Sequence, residues 1–162
     1  MPKLDADEVY DGLYQGARPP QGRVLADMGF SALVLAAREH QPEPQRFPGL
    51  ETVISVPLDD SGYPPTPGEQ RAAAMAAKAV ANILRSGRIV LVTCHMGINR
   101  SGLIVGLALA DLMPDVSRRD IVAAVRRARP GALSNKWFEQ MIMTAPRSKR
   151  RRAARNPARS YL

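Results

Sequence analysis

Apolar positions along the chain form runs of two lengths. The short, unbroken ones are strand-sized: "SALVLAA" (31–37), the β-branched "ETVISVPL" (51–58) and "RIVLVT" (88–93). The last is apolar on both faces, as befits the middle of a sheet covered on both sides. "GLYQG" (12–16) reads as a further short strand between glycines, and "ARPPQGRVLADMGF" as a loop and a short helix closed near Gly29. "REHQPEPQRFPG" is a proline-broken loop.

The longer runs are helical. Thr66 as N-cap, Pro67 at the first helical position and Glu69 three residues after the cap form a capping box ahead of "EQRAAAMAAKAVANILRS", which ends at Gly87. "SGLIVGLALADLM" (101–113) is apolar almost all round, which predicts a buried helix stopped by Pro114. Ser117 and Asp120 predict a second capping box for "RRDIVAAVRRAR", and "NKWFEQMIMTA" (135–145) reads as a last helix. In that helix Trp137, Phe138, Met141 and Met143 read as core residues. Strands alternating with helices predict one α/β domain, a mainly parallel central sheet flanked by helices.

Length and composition fit that picture. The chain has 162 residues, 45% hydrophobic and 23% charged, the size and make-up of one globular domain. Charge changes it at one end. The net charge is +8, and residues 146–162, "PRSKRRRAARNPARSYL", hold seven basic residues and no acid, so subtracting those seven charges from +8 leaves +1 on the rest. Residues 1–145 are therefore expected to form the domain, and 146–162 a basic, flexible tail available to nucleic acid or an anionic membrane. The acidic start "MPKLDADEVY" and the lack of a long apolar run lead us to expect a cytoplasmic protein; a monomer is assumed. The single cysteine, Cys94, rules out an internal disulfide framework. His40 and His95 lack a third companion and read as loop residues, not metal ligands.

Cys94 lies where a strand ends, in "VTCHMGINRSG" (92–102). Backbone N–H groups of such a strand-to-helix loop, with the orphan donors of the helix start, can converge on an anion. Gly97 permits the tight turn. The same field favours a thiolate, the nucleophilic form of cysteine. Arg100 adds a planar fork matched to two phosphate oxygens. The two aspartates that follow the strand at 51–58, Asp59 and Asp60, are candidates for moving a proton to and from oxygen, or are turn residues before Ser61-Gly62.

Cys-x5-Arg-Ser in this setting resembles the signature loop of the cysteine-dependent protein tyrosine phosphatase superfamily. With Cys94 past mid-chain and the acids upstream, the resemblance is closest to the dual-specificity phosphatases. It covers nearly the whole chain: "DGLYQGARP" is similar to that family's opening segment, "VPLDDSGYPP" to its acid loop and "VRRARPGALSNKWFEQM" to its closing helices. The resemblance implies a three-layer phosphatase fold and hydrolysis of phosphate monoesters on a phosphorylated protein. Cys94 would be the nucleophile forming a phosphocysteine, and Arg100 would bind the phosphoryl group. Ser101 would steady the departing thiolate, with Asp60 as general acid and Asp59 as the alternative. His95, Met96, Gly97, Ile98 and Asn99 would supply backbone N–H groups. No metal or cofactor is implied. Tyr63 is expected either to shape one wall of the cleft or to pack within its loop. Two positions depart from the pattern. Thr93 stands where the family usually has histidine, and "Gly-Ile-Asn-Arg" is similar to the RNA 5′-triphosphatase branch of the superfamily. Two rivals therefore stand beside the protein phosphatase: an RNA 5′-phosphatase and a phosphate-binding module without turnover.

Overall fold

The computed structural model describes residues 3–147. Most of the basic tail, residues 148–162, lies outside the described residues. A five-stranded sheet runs in the order β1-β2-β5-β3-β4. Its strands are β1 (Ala6–Tyr10), β2 (Leu13–Gly16), β3 (Ala32–Ala37), β4 (Thr52–Leu58) and β5 (Val90–Thr93). All neighbours pair in parallel except β1, which runs antiparallel to β2. The helices are α1 (Val24–Asp27), α2 (Pro67–Arg85), α3 (Arg100–Leu112), α4 (Arg118–Ala128) and α5 (Lys136–Met143). The expected architecture is present.

Alternation along the central strands sorts the core into two layers. Ala32, Val34, Val90 and Val92 face the side covered by α2 to α5, where Leu103, Ile104, Ile121, Val125, Phe138 and Ile142 complete a large apolar cluster. Leu33, Leu35 and Leu91 face the other side, closed by Leu25 of α1, Phe30 and Phe47. Strand β3 is buried along its whole length, as the unbroken run 31–37 predicts.

The Thr66–Glu69 capping box forms in full. The second is half a box: the Ser117 hydroxyl accepts from the Asp120 N–H, but the Asp120 carboxylate takes its bond from that hydroxyl, not from the backbone. Strand β1, which the sequence pattern does not predict, pairs Ala6–Tyr10 with β2. No helix among the described residues is long and apolar enough to cross a membrane.

Candidate active site: the loop after β5

Strand β5 ends at Thr93, whose hydroxyl donates to the Val34 carbonyl of β3 at 3.0 Å. The position before the cysteine is thus spent on the sheet. Cys94 follows, 2% exposed, with Sγ 3.3 Å from Ser101 Oγ, and the chain then turns into α3 at Arg100. Gly97 has φ +69°. A Cβ there would stand 2.4 Å from the Gly16 carbonyl carbon and 2.6 Å from the Ala17 nitrogen, so neither the turn nor the space admits another residue.

The carbonyls from His95 to Asn99 are all in use. His95 O accepts from the Arg18 N–H, Ile98 O from the Leu133 N–H and Asn99 O from the Leu103 N–H. Met96 O and Gly97 O accept from the Arg129 guanidinium at 3.1 and 2.7 Å, and the Gln15 amide reaches Gly97 O at 3.0 Å and Ile98 O at 3.3 Å. By contrast, none of the N–H groups from His95 to Arg100 donates to another described residue. In a planar trans peptide the N–H points away from the preceding carbonyl. Tying the carbonyls of His95, Met96, Gly97 and Ile98 to groups outside the loop therefore turns the amides that follow them the other way, as an anion-binding loop requires.

Arg100 is 5% exposed. Its Nη1 is held by Glu39, at 2.6 and 2.7 Å to the two carboxylate oxygens, and by the Leu58 carbonyl at 3.2 Å. Its Nε is buried with no partner among the described residues. One corner of the guanidinium is thus anchored while the Nε edge keeps its donor unspent, as a bidentate anion ligand requires. Burial raises the Glu39 carboxyl, but the hydrogen bond and charge of Arg100, with the backbone N–H, outweigh it and hold Glu39 below its ordinary value. Glu39 escaped the sequence reading because its partner lies 61 residues away and an exposed-looking "REHQ" carries no spacing signal. Next to it, His40 sits at φ +55° with its ring centroid 5.6 Å from that of His95.

The two aspartates separate. Asp59 pairs with Arg38 at 3.1 Å and donates its N–H to Glu69 at 3.0 Å, so it belongs to the start of α2. Asp60 reaches the phosphate loop: one carboxylate oxygen accepts from Asn99 Nδ2 at 3.0 Å, the other from Asn135 Nδ2 at 2.8 Å. Asn99 Oδ1 in turn accepts from Ser134 Oγ and the Asn135 N–H. The acid loop is further pinned to the start of α5 by Asn135 Nδ2 on Ser61 O and by Trp137 Nε1 on Gly62 O. Trp137 is therefore not the core residue expected. It is half-buried at the site's rim with Lys136 Nζ 5.4 Å above its ring, because an indole needs a partner for its N–H. Phe138 and Met141 do pack in the core, whereas Met143 is exposed. Tyr63 is 79% exposed, so it does not pack within its loop. Among the described residues no cluster of three or more His, Cys, Asp or Glu could hold a metal.

No protein-family model matches the sequence, and no curated protein matches it. Solved structures do. A mouse protein classed with the dual specificity phosphatases and crystallised with zinc tungstate aligns with a TM-score of 0.73 at 25% identity, over 86% of this chain and 85% of that one. Human DUSP28 aligns at 0.69 and 24% identity over 88% and 92%. Human tyrosine phosphatase-like serine/threonine/tyrosine-interacting protein aligns at 0.69 and 21% over 86% and 94%. By fold the chain falls in the cysteine-dependent protein tyrosine phosphatase superfamily, where it is similar to dual specificity phosphatases.

Proposed function

We propose that this chain hydrolyses phosphate monoesters through a phosphocysteine, with phosphotyrosine, and phosphoserine or phosphothreonine where the cleft admits them, as substrates. The observation that supports the reading is the loop in which the carbonyls from His95 to Asn99 are bound while no N–H from His95 to Arg100 donates to another described residue, set beside a buried thiol. The Cys94 thiolate attacks phosphorus: a P–S bond forms, the P–O bond to the leaving group breaks, and Asp60 gives that oxygen its proton. Water then attacks phosphorus, Asp60 takes a proton from it, and the P–S bond breaks with its electron pair returning to sulfur. The Ser101 hydroxyl, 3.3 Å from Sγ, steadies the thiolate as it departs. Arg100 and the loop amides hold the equatorial oxygens, whose charge they meet more closely in the transition state than in the ester.

Two rivals remain to be separated. The Asn99 position favours an RNA 5′-phosphatase by resemblance, but its amide is committed to Asp60, Ser134 and Asn135, a use that couples the loop to an acid. A binding module without turnover shares the fold, and one neighbour is an interacting protein by name; here thiol, guanidinium and carboxylate are all present. The test is phosphate release from a phosphotyrosine peptide and from triphosphate-ended RNA, by the parent chain, by Cys94→Ser and by a chain ending at residue 145. Vanadate-sensitive release from the peptide, abolished in Cys94→Ser, is expected. Preference for RNA that disappears with residues 146–162 selects the first rival, and anion binding with no turnover on either substrate selects the second.

A further inference from the structure

The phosphate loop is shaped from behind by two buried polar side chains. Gln15, on β2, is fully buried, and Arg129, at the end of α4, is 8% exposed. Between them they take three consecutive loop carbonyls: Arg129 Nη2 on Met96, Arg129 Nε and Gln15 Nε2 on Gly97, and Gln15 Nε2 again on Ile98. The remaining guanidinium corner, Nη1, lies 2.9 Å from Asp5 and 2.8 Å from Asp7, both near the start of the unpredicted edge strand β1. Burial pulls the Arg129 proton affinity down, but the hydrogen bonds and charges of Asp5 and Asp7 outweigh it and raise it. Each guanidinium nitrogen is therefore engaged, Nε and Nη2 on the loop and Nη1 on the two aspartates.

Gln15 is the more telling of the two. Its Oε1 is buried and has no partner among the described residues. A flipped amide would set that oxygen against the Gly97 and Ile98 carbonyls, so the orientation is forced. An orphaned buried carbonyl is a cost to folding, which a plain apolar side chain in the same place avoids. Gly102 is bare where a Cβ would press on this amide, 3.2 Å from Gln15 Nε2. The Leu133 side chain closes the same space at 3.2 Å, and the chain accepts an unsatisfied oxygen to keep the amide's donors under the loop.

We propose that Gln15 and Arg129 are positioning residues of the phosphate loop. By drawing the Met96, Gly97 and Ile98 carbonyls outward, they hold the following amides in the orientation that binds a tetrahedral dianion before any anion arrives. This rests on reading the loop as an anion cradle, and it deepens that reading by assigning the cradle's affinity to residues that never touch the ligand.

The separating experiment titrates tungstate and inorganic phosphate into the full chain by calorimetry and measures thermal unfolding without anion, for the parent, Gln15→Met, Arg129→Met and Arg129→Lys. Gln15→Met is expected to weaken anion binding about tenfold through loss of the amide's two orienting hydrogen bonds, while its unfolding temperature stays level or rises because the orphaned oxygen is gone. Arg129→Met is expected to weaken binding more, and Arg129→Lys to recover only part, since one ammonium cannot span two carbonyls and two carboxylates. If the Arg129 variants do not fold, Gln15→Met decides alone. Parent-like affinity in Gln15→Met, full recovery in Arg129→Lys, or an affinity loss matched by an equal stability loss in Gln15→Met would each overturn the proposal. A parent chain that binds neither anion removes the reading of the cradle itself, and the inference with it.

Discussion

The phosphate loop and the acid loop touch through Asn99 and Asp60, yet the chain secures them by opposite means. The first, from Cys94 to Ser101, is tied through its backbone. Its carbonyls from His95 to Ile98 are bound by groups from β2 and the residues after it, the end of α4 and the turn before α5, and the side chains of Cys94 and Arg100 are buried. The acid loop that follows β4 is exposed, and it is tied to its surroundings largely by side chains: Asn99, Asn135, Trp137 and Glu69. On the proposed reading, anion binding is thus part of the core, whereas proton delivery hangs on surface groups. Substitutions in the two loops should then fail differently, the first in binding and chemistry together, the second in the proton step alone.

The sharpest separation comes from Arg100. Arg100→Lys keeps a positive charge but loses the fork, so kcat/KM should fall on the order of a hundredfold to a thousandfold. The loss should appear in phosphate-analogue affinity as well as in turnover, read by steady-state kinetics and vanadate inhibition. A loss confined to turnover would mean that the loop does not hold the anion through this side chain.

On the acid side, Asp60→Asn should lower kcat about a hundredfold for esters with a poor leaving group, with little change for a leaving group that departs unprotonated and little change in vanadate affinity. Asp59→Asn should stay within about threefold on every count, because Asp59 faces Arg38 and Glu69. Reversal of the pair would transfer the acid role by one residue and would erase the contrast between the loops. Glu39→Gln tests the hinge between them. Removing the charge that holds Arg100 Nη1 should raise KM about threefold to tenfold with kcat less affected, and an unchanged KM would show that the Leu58 carbonyl suffices.

The contrast also explains what could be read in advance. Strands, helix starts and the Cys94–Arg100 spacing were legible because each is local: a β-branched run, Thr66 with Glu69, a glycine before an arginine. Strand β1 was not, since "ADEVY" is short, polar and at an edge, with Tyr10 exposed. Gln15, Glu39 and Arg129 were not, because a buried polar residue has the same letter as a surface one until its distant partner is placed. Trp137 misled for the converse reason: its bulk signals a core, and its single N–H sends it to the Gly62 carbonyl at the rim.

The smallest effect expected is on stability, at Glu69, where the acid loop joins α2. Its carboxylate accepts from the Asp59 N–H and from the Thr66 N–H and hydroxyl, and it faces Arg38 at 3.4 Å. The Asp59 and Thr66 N–H bonds, with smaller help from the Thr66 hydroxyl and Arg38 against burial, hold the carboxyl below its ordinary value of 4.5. A carboxyl lowered by folding stabilises the native state above the unfolded value, and that contribution is lost as pH falls through the folded one. Glu69→Ala should therefore cost about 1 kcal/mol near neutrality, the usual worth of a cap, and lower the unfolding temperature by about 2–4 °C. The gap to the parent should narrow as pH drops below about 4.5 and close once the native carboxyl is protonated. Calorimetric scans from pH 7 down to pH 3 read this directly. A gap that persists at the acid end would assign the residue's worth to packing of its methylenes, and the acid loop would then be anchored by the start of α5 alone.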